Sequence, residues 1–177
     1  MPGNPGSSGP SARRIGAGFT LAAWAVLLAL LAWLAQGFLE RQYNPNPEPR
    51  ARTSADGLRE VVLQRNRSGH YVATGHINDL RVRFLLDTGA TLVALDERLA
   101  ARIGLEKGAV VNLRTAGGEA MGWRTLIPRI DLGGLVQYAV PAVIQPGLGD
   151  DVLLGMSFLK RVEFAQRDGA LVLRSPP

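Results

Sequence analysis

A carboxylate stands where an apolar run ends: Phe84-Leu85-Leu86 leads directly into Asp87-Thr88-Gly89-Ala90-Thr91. A charge at the end of a buried strand is costly unless it is paired or hydrogen-bonded. Gly89 is expected to reach backbone conformations closed to other residues and to aim its N–H at the carboxylate. Thr88 offers a hydroxyl that can hold the turn. A carboxylate set in this way can take or give a proton during hydrolysis. Asp-Thr-Gly is also a generic turn, so its meaning depends on what accompanies it.

About 65 residues further on stands a second apolar string ending in glycine, Val152-Leu153-Leu154-Gly155-Met156, followed by Ser157-Phe158-Leu159-Lys160-Arg161, which suits a short helix. Between the two lies Thr115-Ala116-Gly117-Gly118-Glu119, a glycine-bearing hairpin, and the chain closes on an apolar hairpin turning at Asp168-Gly169. Together these strings resemble the retropepsin-like aspartic proteases, and among them the membrane-anchored bacterial members. The resemblance covers residues 58–175. It implies an all-β acid protease barrel, one subunit of a homodimer, with one short helix. It assigns catalysis to Asp87, Thr88 and Gly89. Ala90, Gly117 and Gly118 fall on the substrate side, the last two in a mobile flap. The implied reaction is hydrolysis of a peptide or protein substrate, with no metal and no organic cofactor.

One departure from the two-motif pepsin pattern matters. Asp56-Gly57 and Asp168-Gly169 lack the hydroxyl residue and the apolar lead, so the chain carries one such motif. The aspartic mechanism uses two carboxylates that share a proton. The second Asp87 is therefore expected from a second copy of the chain, across a two-fold axis. The alternative is a catalytically silent, membrane-tethered module of the same fold that grips peptides in the cleft. A third reading is a structural β domain in which Asp87 only closes a turn.

Other residue types add little chemistry. With no cysteine, disulfides, thiol catalysis and Cys-ligated metals are excluded. His70 and His76 share a parity on one expected strand, but two histidines do not complete a metal site. Asp150-Asp151 follows Gly147-Leu148-Gly149 and reads as a solvated turn. Asn66-Arg67-Ser68 reads as a turn, Glu119 as a hairpin tip and Trp123 as core. The net charge of +5 comes without a basic run interleaved with aromatics, so no nucleic-acid partner is expected.

The elements that must position Asp87 are short strands separated by Gly and Asp turns, the pattern of a closed or sandwiched β domain. Strands are expected at 60–64, 70–77, 81–86, 91–95, 110–115, 121–130, 138–144, 162–165 and 170–174. Asp96 is a fitting N-cap for a short helix over 97–103 that stops at Gly104.

Ahead of this domain the composition changes three times. Residues 1–14 are a Gly/Pro/Ser-rich tail expected to be disordered. Residues 15–39 carry no charge and are long enough for a transmembrane helix. A cleaved signal needs a shorter apolar stretch and small residues at the cleavage site, where this run has Trp33. Residues 40–57, with Pro45, Pro47 and Pro49, read as an extended linker to a domain at 58–177. Arg13-Arg14 before the span favours a cytoplasmic N-terminus. The expectation is therefore a single-pass protein of the bacterial inner membrane with its domain on the periplasmic side.

Overall fold

The computed structural model describes residues 11–54, 56–115 and 118–175. Residues 1–10 of the expected tail and Gly117 of the expected flap lie outside the described residues. The chain divides into two units, Met1–Glu40 and Arg41–Pro177.

The first unit carries most of helix α1 (Ser11–Tyr43). Within the 24 residues Thr20–Tyr43 an 18-residue run has a mean hydropathy of 1.9, and the helix is long and apolar enough to cross a membrane. Its Leu, Val, Trp and Phe side chains are exposed. The helix takes in residues 11–14 of the expected tail and 40–43 of the expected linker.

The second unit is built from β1 (Arg52–Thr53), β2 (Arg59–Gln64), β3 (Tyr71–Ile77), β4 (Leu80–Leu86), β5 (Val93–Asp96), β6 (Val110–Thr115), β7 (Gly118–Leu132), β8 (Leu135–Gln145), β9 (Asp151–Leu154), β10 (Glu163–Arg167) and β11 (Ala170–Ser175). Two short helices accompany them, α2 (Glu97–Ile103) and α3 (Met156–Leu159). One sheet runs β3-β4-β9-β5-β8-β7-β6, and pairing of β3 with β7 through His76↔Asp131 and Ile77↔Ile130 closes six of these strands into a barrel. Closure removes the exposed edges that an open sheet would present. The hairpin arm β6 hangs beyond β7. A second sheet, β1-β2-β11-β10, feeds Val61, Leu63, Leu171 and Leu173 into the core shared with Phe84, Ile127, Ile130, Leu154 and Phe158. The fold is therefore the mostly-β architecture expected, with a second short helix, α3.

Two strands outrun their expected lengths. The breakers Pro128 and Pro141 lie inside β7 and β8. Between the register pairs Ile127↔Val140 and Arg129↔Tyr138, Pro128 contributes no N–H, and Ala139 adopts φ +49°. Arg161 holds that irregular segment, donating to the carbonyls of Tyr138 at 2.8 Å and Ala139 at 3.1 Å. The ladder thus passes a proline that would end an unsupported strand.

The larger difference concerns residues 44–53, which are part of the barrel's own bonding. Asn44 and Asn46 are buried. The Asn46 amide donates to the carbonyls of Val72 (2.7 Å) and Gln64 (2.9 Å), and its oxygen accepts from the Gln64 N–H (2.7 Å). The Asn46 carbonyl accepts from the Thr74 N–H at 3.0 Å, and the Asn44 amide donates to the Thr74 hydroxyl at 2.8 Å. Arg81 donates to the Pro47 carbonyl at 2.9 Å. The Ala51 N–H donates to the Gly133 carbonyl, and a Cβ on Gly133 would stand 2.7 Å from the Pro49 carbonyl oxygen. Proline removes donors from this strap, and the asparagines supply them from their side chains instead.

Candidate active site

Asp87 is the first residue after β4, partly exposed, at the point where that strand leaves its parallel partner β9. The register Leu86↔Leu154 ends the pairing, and the Asp87 N–H donates to the Leu154 carbonyl at 3.3 Å. The Gly89 N–H donates to Asp87 Oδ1 at 2.8 Å. Among the described residues, Asp87 Oδ2 has no hydrogen-bond partner. One carboxylate oxygen is thus oriented by the backbone while the other stays open to a ligand or water.

Gly89 works differently from the expectation. Its φ is not positive, so its backbone conformation is open to other residues. Glycine is needed there for space, because a Cβ would stand 3.1 Å from Asp87 Oδ1. The glycine with a strict steric requirement is Gly155, behind the loop. A Cβ there would overlap the carbonyl oxygens of Leu92 and Ala90, the latter at 2.6 Å. This close approach lets the Met156 N–H reach the Ala90 carbonyl (2.8 Å) and the Ser157 N–H reach the Thr91 carbonyl (3.0 Å).

Ser157 was not singled out from the sequence. It is buried, its Oγ accepts from the Val93 N–H at 2.9 Å, and its hydroxyl donates to the Pro141 carbonyl at 2.7 Å. A hydroxyl two residues past a glycine, among apolar neighbours, was the available signal. An isolated buried hydroxyl is costly, so such a residue has a partner to find.

Asp87, Thr88, Gly89 and Ala90 form one loop, in which Thr88 and Gly89 are exposed. Gly118 belongs to a separate hairpin, β6–β7, where its φ is +112° and its carbonyl accepts from the Thr115 hydroxyl at 2.8 Å. Glu119 is exposed opposite Arg114. Trp123 is half-buried against the core, and the Lys107 ammonium lies 3.8 Å from its ring centroid.

Asp96 caps α2, accepting from the Arg98 N–H at 2.9 Å and, through its other oxygen, from the Leu148 N–H at 3.1 Å. The hydrogen bond from Arg98 holds its carboxyl below the usual range. Burial acts in the opposite direction, and the Gly149 N–H adds to the lowering. Asp151 corrects the solvated-turn reading. It opens β9, pairs with Arg83 of β4, and accepts from the Tyr43 hydroxyl. The Arg83 guanidinium lies 4.8 Å from the Tyr43 ring centroid. Asp150 is exposed, as are His70 and His76.

A family described as "gag-polyprotein putative aspartyl protease" matches residues 73–161, half of the chain. The matched span takes in most of β3, all of β4, the Asp87 loop, the hairpin and the Gly155 element, and the chain belongs to the retropepsin-like aspartic protease family. The solved structure of a retropepsin-like aspartic protease from Rickettsia conorii superposes with a TM-score of 0.54 at 28% identity, covering 64% of this chain and 98% of that one. An uncharacterized protein from the cobV 5′ region of a Sinorhizobium species is 34% identical over 118 residues, covering 64% of this chain and 51% of the relative. An uncharacterized protein of Rickettsia prowazekii (strain Madrid E) is 29% identical over 119 residues, covering 64% and 50%. The chain spans about half the length of these curated relatives.

Proposed function

We propose that this chain is a membrane-anchored aspartic endopeptidase that hydrolyses peptide bonds as a homodimer, with Asp87 from each copy forming the catalytic pair. The observation that carries the reading is the Asp87 loop. Its carboxylate has one oxygen held by the Gly89 N–H and the other open, on a loop backed by Gly155. Because the chain carries one such motif, a pair requires two chains.

Two like charges brought close do not both ionise, so the pair shares one proton. The ionised Asp87 takes a proton from a water held between the carboxylates, and the water oxygen attacks the scissile carbonyl carbon. The protonated Asp87 polarises the carbonyl oxygen. Collapse of the tetrahedral intermediate breaks the C–N bond, with a proton delivered to the leaving nitrogen, and yields a carboxyl and an amine. Thr88 braces the two loops against each other, and Gly89 orients the carboxylate. Ala90 lines the substrate side, and Gly117 and Gly118 give the hairpin freedom to open and close.

In the same reading, residues 15–39 anchor the protein in the bacterial inner membrane, and Arg13-Arg14 favour a cytoplasmic N-terminus, with the domain on the periplasmic side. The test is Asp87→Asn, which keeps the size of the side chain and removes its charge. Full-length protein should cleave members of a peptide library, and the variant should lose about 10³-fold or more of that rate. Unchanged cleavage by the variant overturns the assignment. Peptide binding without cleavage by the wild type identifies a silent binding module instead.

A further inference from the structure

The uncharged run ends at Leu39, and the domain's bonded structure begins four residues later, at Tyr43. Tyr43 is the last residue of α1, and its hydroxyl donates to Asp151 on β9. The next residues, Asn44 and Asn46, are buried and bonded to β2 and β3. No free spacer therefore lies between the end of the helix and the start of the fixed structure.

This changes the reach of the site. A free, proline-rich tether over residues 44–57 would extend at roughly 3.1 Å per residue and add about 43 Å. With the strap bonded to the barrel, that extension is absent. A body of this size has a radius of gyration of about 14 Å, which corresponds to roughly 40 Å across. Whatever attitude the domain takes to a bilayer, Asp87 stays within about that height of the surface.

We infer that the substrates are polypeptides anchored in the same membrane, cut in an extended segment within roughly 40 Å of the bilayer. This rests on the peptidase and anchor readings above. Two molecules held in one membrane meet at a high effective concentration, provided that the geometry lets them engage. Here the short reach sets that geometry, and it selects for cleavage sites close to the bilayer.

The test reconstitutes full-length protein in liposomes with a single-span substrate. A cleavable sequence from the library is placed about 20, 40 or 80 Å from the bilayer on helical spacers of ~1.5 Å per residue. A second enzyme carries a 30-residue Gly/Ser insert between Glu40 and Arg41, which leaves the strap intact. The wild type should cut the far site at least 10-fold more slowly than the near one. The insert should restore cutting of the far site, and both enzymes should cut a soluble peptide equally. Equal cutting at all heights by the wild type, or an insert without effect, overturns the inference. If neither enzyme cuts the soluble peptide, the peptidase reading has failed and the inference falls with it. If the protein does not float with the liposomes, the anchor reading has failed, with the same consequence.

Discussion

The loop at residues 87–91 and the strap at residues 44–53 are both short segments held to the barrel by hydrogen bonds, but their bonds come from different sources. The loop is held largely through its backbone. Met156 and Ser157 donate to the Ala90 and Thr91 carbonyls, and a missing side chain at Gly155 makes the approach possible. The strap is held largely through side chains, with the Asn46 amide replacing the ladder bonds that a paired strand would make to Gln64 and Val72. A backbone-held loop tolerates side-chain change and fails on added volume. A strap held by side chains tolerates added volume at its exposed positions and fails on the loss of a single amide.

Cutting the strap away should have the largest effect. A soluble body beginning at Leu58 loses β1 and the bonds of Asn44, Asn46, Pro47 and Ala51. At about 1 kcal/mol each, these seven bonds total roughly 7 kcal/mol, comparable with the whole stability of a small domain. Denaturant unfolding of residues 41–177 beside 58–177 measures this. Asn46→Ala in the longer body should account for about 2–3 kcal/mol of it, because buried backbone groups are left unpaired. Equal stability of the two bodies would return the strap to the status of a linker.

The loop is probed by its two glycines. Gly155→Ala pushes a methyl group into two backbone oxygens and should cost about 3 kcal/mol, with loss of activity. Gly89→Ala meets only the carboxylate oxygen, at 3.1 Å. It should leave stability within about 1 kcal/mol while lowering the cleavage rate. Matched thermal melts and peptide assays separate the two, and a Gly89→Ala variant as unstable as Gly155→Ala would break the contrast.

The smallest effect is at Asp96. Loss of its cap in Asp96→Ala should cost about 1 kcal/mol at pH 7. Its carboxyl sits lower in the folded chain than in the unfolded one. The stabilisation is therefore fully present above the unfolded value, near 4, and is lost as pH falls through the folded value. The stability gap between wild type and variant should shrink below about pH 4, and a gap unchanged down to pH 2 would remove Asp96 from the acid response.

Asp87 and the strands around it were legible because their signals are local. An apolar run, a carboxylate and a glycine lie within a few residues, and Gly155 repeats the pattern on the partner strand. The strap was not legible, because Pro45, Pro47 and Pro49 are adjacent in sequence while the partners of Asn46 lie 18 and 26 residues away. Asp151 was misread for the same reason, since Arg83 is 68 residues distant. Gly89 was read with the right residue and the wrong cause. Conformational freedom and empty space leave the same letter in a sequence, and the distance to Oδ1 distinguishes them.

The parallel pairing of β4 with β9 joins residues 68 apart, and Val93 meets Ser157 across 64. Closing loops of that length costs entropy before any contact offsets it. On the ribosome, at about 5–20 residues per second, roughly 3–13 s separate the emergence of Asp87 from that of Val152. Throughout that interval the nascent chain carries its acidic signature without the glycine and serine that shape it. The late strand acts as a timer on the early one, and the Asp87 loop takes its form only once the neighbouring segments have been made.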